Sequence, residues 1–436
     1  MPVPLHLSTV LSRSASSLQS HITRLAKKYG NQNHILLFAL SSNVTESPDL
    51  AALVGALSDF NSEHGHSIGC ISKPVEGLKN RGGSHYLSCS FGVFDSSNSV
   101  VFRSTLPGRS QPQVGRWHSF RKKDDDKPSM EDSYGKDGVS WSDVWDRSSR
   151  QEPLPEALSE LDPDEIETII HFTDLAPEGL SNSLRAFKRS TKLGLMATST
   201  PFITGRPVTL FQNRCIYESG AVGIALKRSI KDSQTRSHVE FLGVQPFAEP
   251  LTPSCEGNMI NTLNDSNPAN LLLQSMKQTG LDLQARESPK DFDQFSLGVL
   301  APNGRISRIY RITAGDPSRG SLSLDSDRAP DVGTVIQFLH HPQTQLPIPE
   351  RYLSSTSSQM LAFLTTPPDQ ISDLSESSKS GDDIILDGTF LAASENGFLL
   401  SRAPAGVHGE NEIIGEIEDT WKCSSSGGLG VVEWEN

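Results

Sequence analysis

The residues whose types could do chemistry are few and scattered. Cys70 has three histidines around it in sequence, His64, His66 and His85, and a thiol beside an imidazole is the minimum a cysteine nucleophile needs. Cys70 also lies in the apolar run Ser67 to Ser72, where a cysteine is more often an inert core residue than a reactive one. Cys423 opens the stretch Cys423-Ser424-Ser425-Ser426-Gly427-Gly428 outside any apolar run. Its small neighbours permit close approach of a ligand, which makes Cys423 and Ser424 ligand candidates, against the commoner reading of a plain connector. Asp174 ends an apolar run just before a helical pattern, so it either caps main-chain nitrogens or touches a ligand. His340 and His341 are adjacent, and neighbours on a strand point to opposite faces, so they are a poor pair for one metal. Arg81-Gly82-Gly83-Ser84-His85 could cradle an anion on its amides, although a glycine-rich entry to a strand explains it as well. No HExxH or P-loop pattern occurs and no GxSxG pattern supplies a stronger case, so neither a metal nor a cofactor is expected and no catalytic centre is legible.

The composition narrows the partners. The chain has 436 residues, 52 acidic against 39 basic, and a formal charge of -13, a field that repels nucleic acid. Its one basic run, Arg121-Lys122-Lys123, is followed at once by three aspartates and reads as a solvated loop. Five cysteines without a CxxC pair argue for a reducing compartment. No apolar run approaches the roughly 18 residues that a membrane-spanning helix requires.

The N-terminus carries no acidic residue before Glu46 and has Arg13, Arg24, Lys27 and Lys28 among serines, which resembles a mitochondrial presequence. Leu11, Leu18, Ile22 and Leu25 equally form an apolar helical face. The expectation is a targeting segment over about 1 to 14 and a first helix of the fold over 14 to 29, with the mitochondrial matrix and the cytoplasm as alternative locations.

The elements that must position these residues follow from periodicity. Ile35 to Leu40 reads as a strand buried on both faces, Leu50 to Phe60 as an amphipathic helix, Ser67 to Ser72 as a strand, and Tyr86 to Phe94 with Val100 to Phe102 as a hairpin. Strand, helix and strand recur at Thr168 to Phe172, Pro177 to Phe187 and Lys192 to Ala197. A duplication is expected, 35 to 105 against 167 to 226, in which small residues recur at comparable places, Gly69 to Ser72 in the first copy and Gly194 to Ser199 in the second. Ser72 and Ser199 become ligand candidates. Residues 106 to 158 and 366 to 383 are polar insertions, the first carrying Trp117, Trp141 and Trp145, which could dock on the body or on a protein partner. A later α+β section starts at Val244, with a helix capped by Asn267 and opened by Pro268.

Taken in order, several segments resemble the FIST family. They are Phe172-Thr173-Asp174 through Gly179-Leu180, Glu218 to Leu226, Val244-Gln-Pro-Phe247, Gly257 to Ile260, Arg308 to Arg311, Gly320 to Leu324 and Ser394-Glu395-Asn396-Gly397. The resemblance covers about 400 residues and departs in the polar insertions and in the lack of an F-box before Ile35. It implies a FIST N-terminal-like domain over 31 to 228, a C-terminal-like domain over 240 to 436, and sensing of a small ligand such as an amino acid. It also adds Ser394 and Glu395 to the ligand candidates. The fold expected is α+β, with mixed sheets and flanking helices layered α-β-β-α. The alternatives are a protein-interaction scaffold using 106 to 158 and a thiol-dependent amidase-like enzyme using Cys70, His85 or Cys423.

Overall fold

In the computed structural model the described residues are 4–44, 46–61, 65–75, 86–108, 152–228, 235–280, 295–315, 320–326, 328–331, 333–341, 348–352, 358–367, 383–402 and 420–435. The first unit is β1 (His6–Ser12), α1 (Ala15–Tyr29), β2 (His34–Ser41), α2 (Ser47–Ser58), β3 (His66–Ser72) and β4 (Leu87–Asp95). The second is β5 (Ser99–Ser104), α3 (Glu156–Ser159), β6 (Ile166–Thr173), α4 (Glu178–Ser183), β7 (Thr191–Met196), β8 (Leu210–Gln212), β9 (Cys215–Tyr217) and β10 (Ala221–Lys227). The third starts at β11 (Thr235–Phe241) and is interrupted by β12 (Gln245–Pro246), β13 (Pro253–Glu256), β14 (Met259–Leu263), α5 (Pro268–Gln278), β15 (Phe295–Leu300), β16 (Ile306–Gly315), β17 (Leu322–Leu324) and β18 (Val335–His340). It resumes with β19 (Ser358–Thr365), β20 (Ile384–Asp387), β21 (Thr389–Ser394), β22 (Phe398–Ser401), β23 (Trp421–Cys423) and β24 (Gly428–Glu435).

The class is α+β with mixed sheets, and the pairing reveals the plan. The sheets run β20-β1-β4-β2-β3-β8-β9, β23-β22-β7-β6-β10-β5, β11-β24-β19-β21 and β12-β18-β15-β16-β17-β14-β13. Each of the first three contains the same four-strand order. In β1-β4-β2-β3, β5-β10-β6-β7 and β11-β24-β19-β21, the first strand pairs antiparallel with the fourth, the fourth antiparallel with the second, and the second parallel with the third. The unit recognised twice in sequence is therefore present three times. The fourth sheet is antiparallel throughout and lies between the first and second strands of the third unit.

Burial explains why the second strands sit at the middle of each sheet. All eight residues of β2 are buried, as are seven of the eight in β6, so each strand needs cover on both faces and a partner on both edges. On the outer face of the first sheet Leu18, Ile22 and Leu25 of α1 and Leu53 and Leu57 of α2 cover Leu36, Phe38 and Leu40. On the second sheet Leu180 and Leu184, with Leu158 and Phe187, cover Phe102, Ile169 and Ala225. The inner faces of all three sheets share one core: Phe94 meets Trp434 at 6.5 Å between ring centroids, and Phe172 meets Phe363 at 5.9 Å. Three sheets thus close around the core where two stacked layers were expected. At Gly430 a Cβ would sit 2.6 Å from the Phe398 ring, so the missing side chain is what lets the second and third sheets meet.

Three expectations need correction. β4 and β5 do not form a hairpin, because both edges of β4 are taken by β1 and β2 and β5 instead pairs with β10. Residues His6 to Ser12 were not read as an element, yet β1 is buried and lies between β4 and β20. Strands beyond the expected boundary at 228 to 240 cross back, β20 into the first sheet and β22 and β23 into the second. Most of the insertion at 106 to 158, with its three tryptophans, and most of 366 to 383 lie outside the described residues.

Candidate functional site

The ends of the third strands meet in a ring of main-chain hydrogen bonds. Past β3 the amide of Lys73 donates to Ala393 O of β21 at 2.8 Å, and past β7 the amide of Thr198 donates to Ile71 O of β3 at 3.2 Å. Gly397, past β21, accepts from the Met196 amide of β7 at 3.1 Å. Every pair of units is joined by one of these bonds, so the carboxyl ends of three parallel pairs face one place.

Polar side chains gather there. Glu395 accepts the Ser199 amide with Oε1 at 2.9 Å and the Thr198 hydroxyl with Oε2. Asn396 donates through Nδ2 to Ala197 O at 2.8 Å, and its own amide donates to Ser394 Oγ at 3.0 Å. Ser72, Lys73, Thr198 and Ser394 are buried, whereas Ser199 is exposed and Glu395 and Asn396 are half-buried. On one side the loop after β23 closes against this turn: a Cβ on Gly397, whose φ is +90°, would fall 1.9 Å from Cys423 O. Ser424 donates to Asp325 Oδ2 at 2.6 Å, and Lys422 Nζ reaches Asp325 Oδ1 at 3.1 Å. Those contacts, with the Arg311 guanidinium 3.6 Å away, hold the Asp325 carboxyl below its usual range despite its burial. The fourth sheet thereby braces one wall of the site.

Of the candidate ligand residues, Ser72, Ser199, Ser394, Glu395, Cys423 and Ser424 fall in this one neighbourhood. Asp174 lies to the side, at the end of β6. Both of its oxygens are engaged by main chain, Ala176 N at 2.9 Å and Gly220 N at 2.5 Å, so it acts as a cap. Lys73, Thr198 and Asn396 were missed. Lys73 directly follows a strand and carried no reading of its own; a recurrence of polar residues after each third strand is the signal that could have found these positions.

The thiol chemistry is not supported at the two cysteines proposed for it. Cys70 faces the central core, fully buried, and desolvation pushes its pKa well above the ordinary thiol value. His66 is four residues back along the strand, roughly 13 Å away at the usual rise, and His64 and His85 are outside the described residues. Cys423 is buried too, and its pKa is pushed up to about 12 by desolvation. Burial therefore disfavours the thiolate at both.

Elsewhere, His341 bonds Ser296 Oγ at 2.7 Å while His340 packs on the Phe295 ring, so the two imidazoles have separate duties. Among the described residues no group of three or more His, Cys, Asp or Glu side chains is placed to hold a metal ion, and no helix is long and apolar enough to cross a membrane.

Fold and site together define a class: an α+β protein of three like-wound units whose strand ends bring a set of largely buried polar side chains together. No protein-family model matches the chain, and no curated protein is significantly similar to it.

Proposed function

We propose that this chain binds a small polar ligand where the three units meet, and serves as a sensory or signalling domain. The observation that carries the reading is the convergence of Ser72 and Lys73, Thr198 and Ser199, and Glu395 and Asn396, one pair from each unit, at the carboxyl ends of parallel strands. That is where α/β sheets generally take ligands, because the strand ends leave main-chain groups and short polar side chains unconstrained by the ladder. A carboxylate, a lysine, an amide and several hydroxyls suit a ligand with both charged and hydrogen-bonding groups. The order of FIST-like segments supports the same reading and makes amino acids the first ligands to try. Free rather than paired cysteines accord with a reducing compartment, the cytoplasm or the mitochondrial matrix.

The test is thermal denaturation against a panel of polar metabolites that includes the amino acids. A binder raises the melting temperature saturably, and Glu395→Ala abolishes that rise. A panel that leaves the melting curve unmoved counts against ligand binding here.

A further inference from the structure

Phe202 is fully exposed, the only large hydrophobic side chain among the described residues with no cover at all. Leaving a phenylalanine in water forgoes the favourable free energy of burying its ring. The loop that carries it is nevertheless well braced. Thr200 donates from its amide to Pro207 O and from its hydroxyl to Arg206 O, both at 3.0 Å. The Thr209 hydroxyl bonds those of Thr200 and Thr204, each at 2.7 Å. A ring held out on a rigid loop has the form of an interface anchor.

At the foot of the same loop lies a hollow of about 170 Å³, walled by Leu175, Ala176, Pro207 and Val208, with Asp174 and Glu218 at its rim. Cavities of about 150 Å³ lined by aliphatic groups take up benzene, so this one has the size of a phenyl ring. The protruding ring and the receiving hollow belong to one loop, which carries Phe202 and contributes Pro207 to the lining, and a surface holding both parts can make a self-complementary two-fold contact. The charges agree. Arg206 is fixed near the ring through Thr204 O at 3.3 Å, and Glu218 is exposed at the rim while Asp174 is turned to main-chain nitrogens.

We propose that the chain forms a dimer about a two-fold axis, each copy seating its Phe202 in the Leu175, Pro207 and Val208 hollow of the other, with Arg206 facing the second copy's Glu218. The test is sedimentation velocity of the full chain over a concentration series. Wild type is expected to shift from monomer to dimer as concentration rises, and Phe202→Ser to remain monomeric with the melting temperature of dilute, monomeric wild type, since an exposed ring adds little to folding of the monomer. Arg206→Glu should weaken the dimer at least tenfold, and Glu218→Arg added to it should restore association. Wild type that stays monomeric at the highest concentration reached overturns the proposal, as does a Phe202→Ser chain that dimerises normally. The competing occupant is the chain's own 109–151 segment, which leaves the body where Gly108 abuts Ala176. Were it to fill the hollow, wild type and Phe202→Ser would both be monomers.

Discussion

Glu395 and Ser199 come from different units, yet Glu395 Oε1 accepts the Ser199 amide at 2.9 Å, a charged hydrogen bond tying the turn after β21 to the segment after β7. The second oxygen takes the Thr198 hydroxyl, so one side chain fastens two of the three units together at the proposed site.

Removing that carboxylate should cost stability as well as binding. Hydrogen bonds to charged groups contribute about 1.5–3 kcal/mol, and Glu395 is half-buried, so Glu395→Ala should lose about 1–2 kcal/mol in urea unfolding. Glu395→Gln keeps an acceptor and should lose about half as much. A Glu395→Ala protein as stable as wild type would mean that the side chain is free in solution.

Gly397→Ala should be far more damaging. The glycine sits at φ +90°, and any Cβ would press into Cys423 O. A loss of about 3 kcal/mol or more is expected from combined strain and overlap, read as a lower urea midpoint. Gly205→Ala, also at positive φ but with open space around it, supplies the control and should lose only about 1 kcal/mol.

How much of this was legible in sequence turns on which signals are local. The buried runs of β2, β3, β6 and β7 and the capped helix at Asn267 are local, and the structure has them where periodicity put them. β1 was hidden because HLSTVLS carries serines and a threonine among its apolar residues. The threonine is satisfied by tertiary contacts: Thr9 bonds Ser90 Oγ at 3.0 Å and Thr389 O at 2.8 Å. The third unit escaped notice because the fourth sheet separates its first strand from its second by more than a hundred residues. Ser72, Ser199, Ser394 and Glu395 were individually readable as strand ends, but their meeting depends on three crossings between units.

β1 supplies a further test. A chain beginning at Ala15, the product implied by the presequence expectation, would expose the edges of β4 and β20 and lose Val10 and Leu11, which are completely buried. It should be insoluble or open to protease at once. A folded, protease-resistant product would show β1 to be dispensable.

Acid should weaken the fold through histidines whose pKa values burial lowers, His6 among them at about 4. His171 is fully buried with neither ring nitrogen hydrogen-bonded, and desolvation lowers its pKa to about 4; His341 is likewise lowered to about 4. The unfolded chain takes up these protons near pH 6.5, so stability is intact above that value and falls as the pH drops toward 4. The loss is about 3 kcal/mol per histidine at most. Urea midpoints at pH 7.5, 5.5 and 4.5 measure it, and His171→Leu should flatten the decline.

Native thiols should divide sharply. Cys215 is exposed and should alkylate quickly, whereas Cys70, Cys89 and Cys423 are buried with raised pKa values and should react only on unfolding. Mass spectrometry after brief iodoacetamide treatment reads this directly, and early labelling of Cys70 or Cys423 would reopen the thiol-enzyme reading.

The central claim is that three units close a ring at a ligand site, and site-resolved amide exchange addresses it most directly. The amides of Lys73, Thr198 and Met196 should exchange as slowly as the core strands, and those of Ser199 and Asn396 should slow further with any metabolite that raises the melting temperature. Rapid exchange at Lys73, Thr198 and Met196 in the native protein, or a stabilising metabolite that protects only residues elsewhere, would contradict the account.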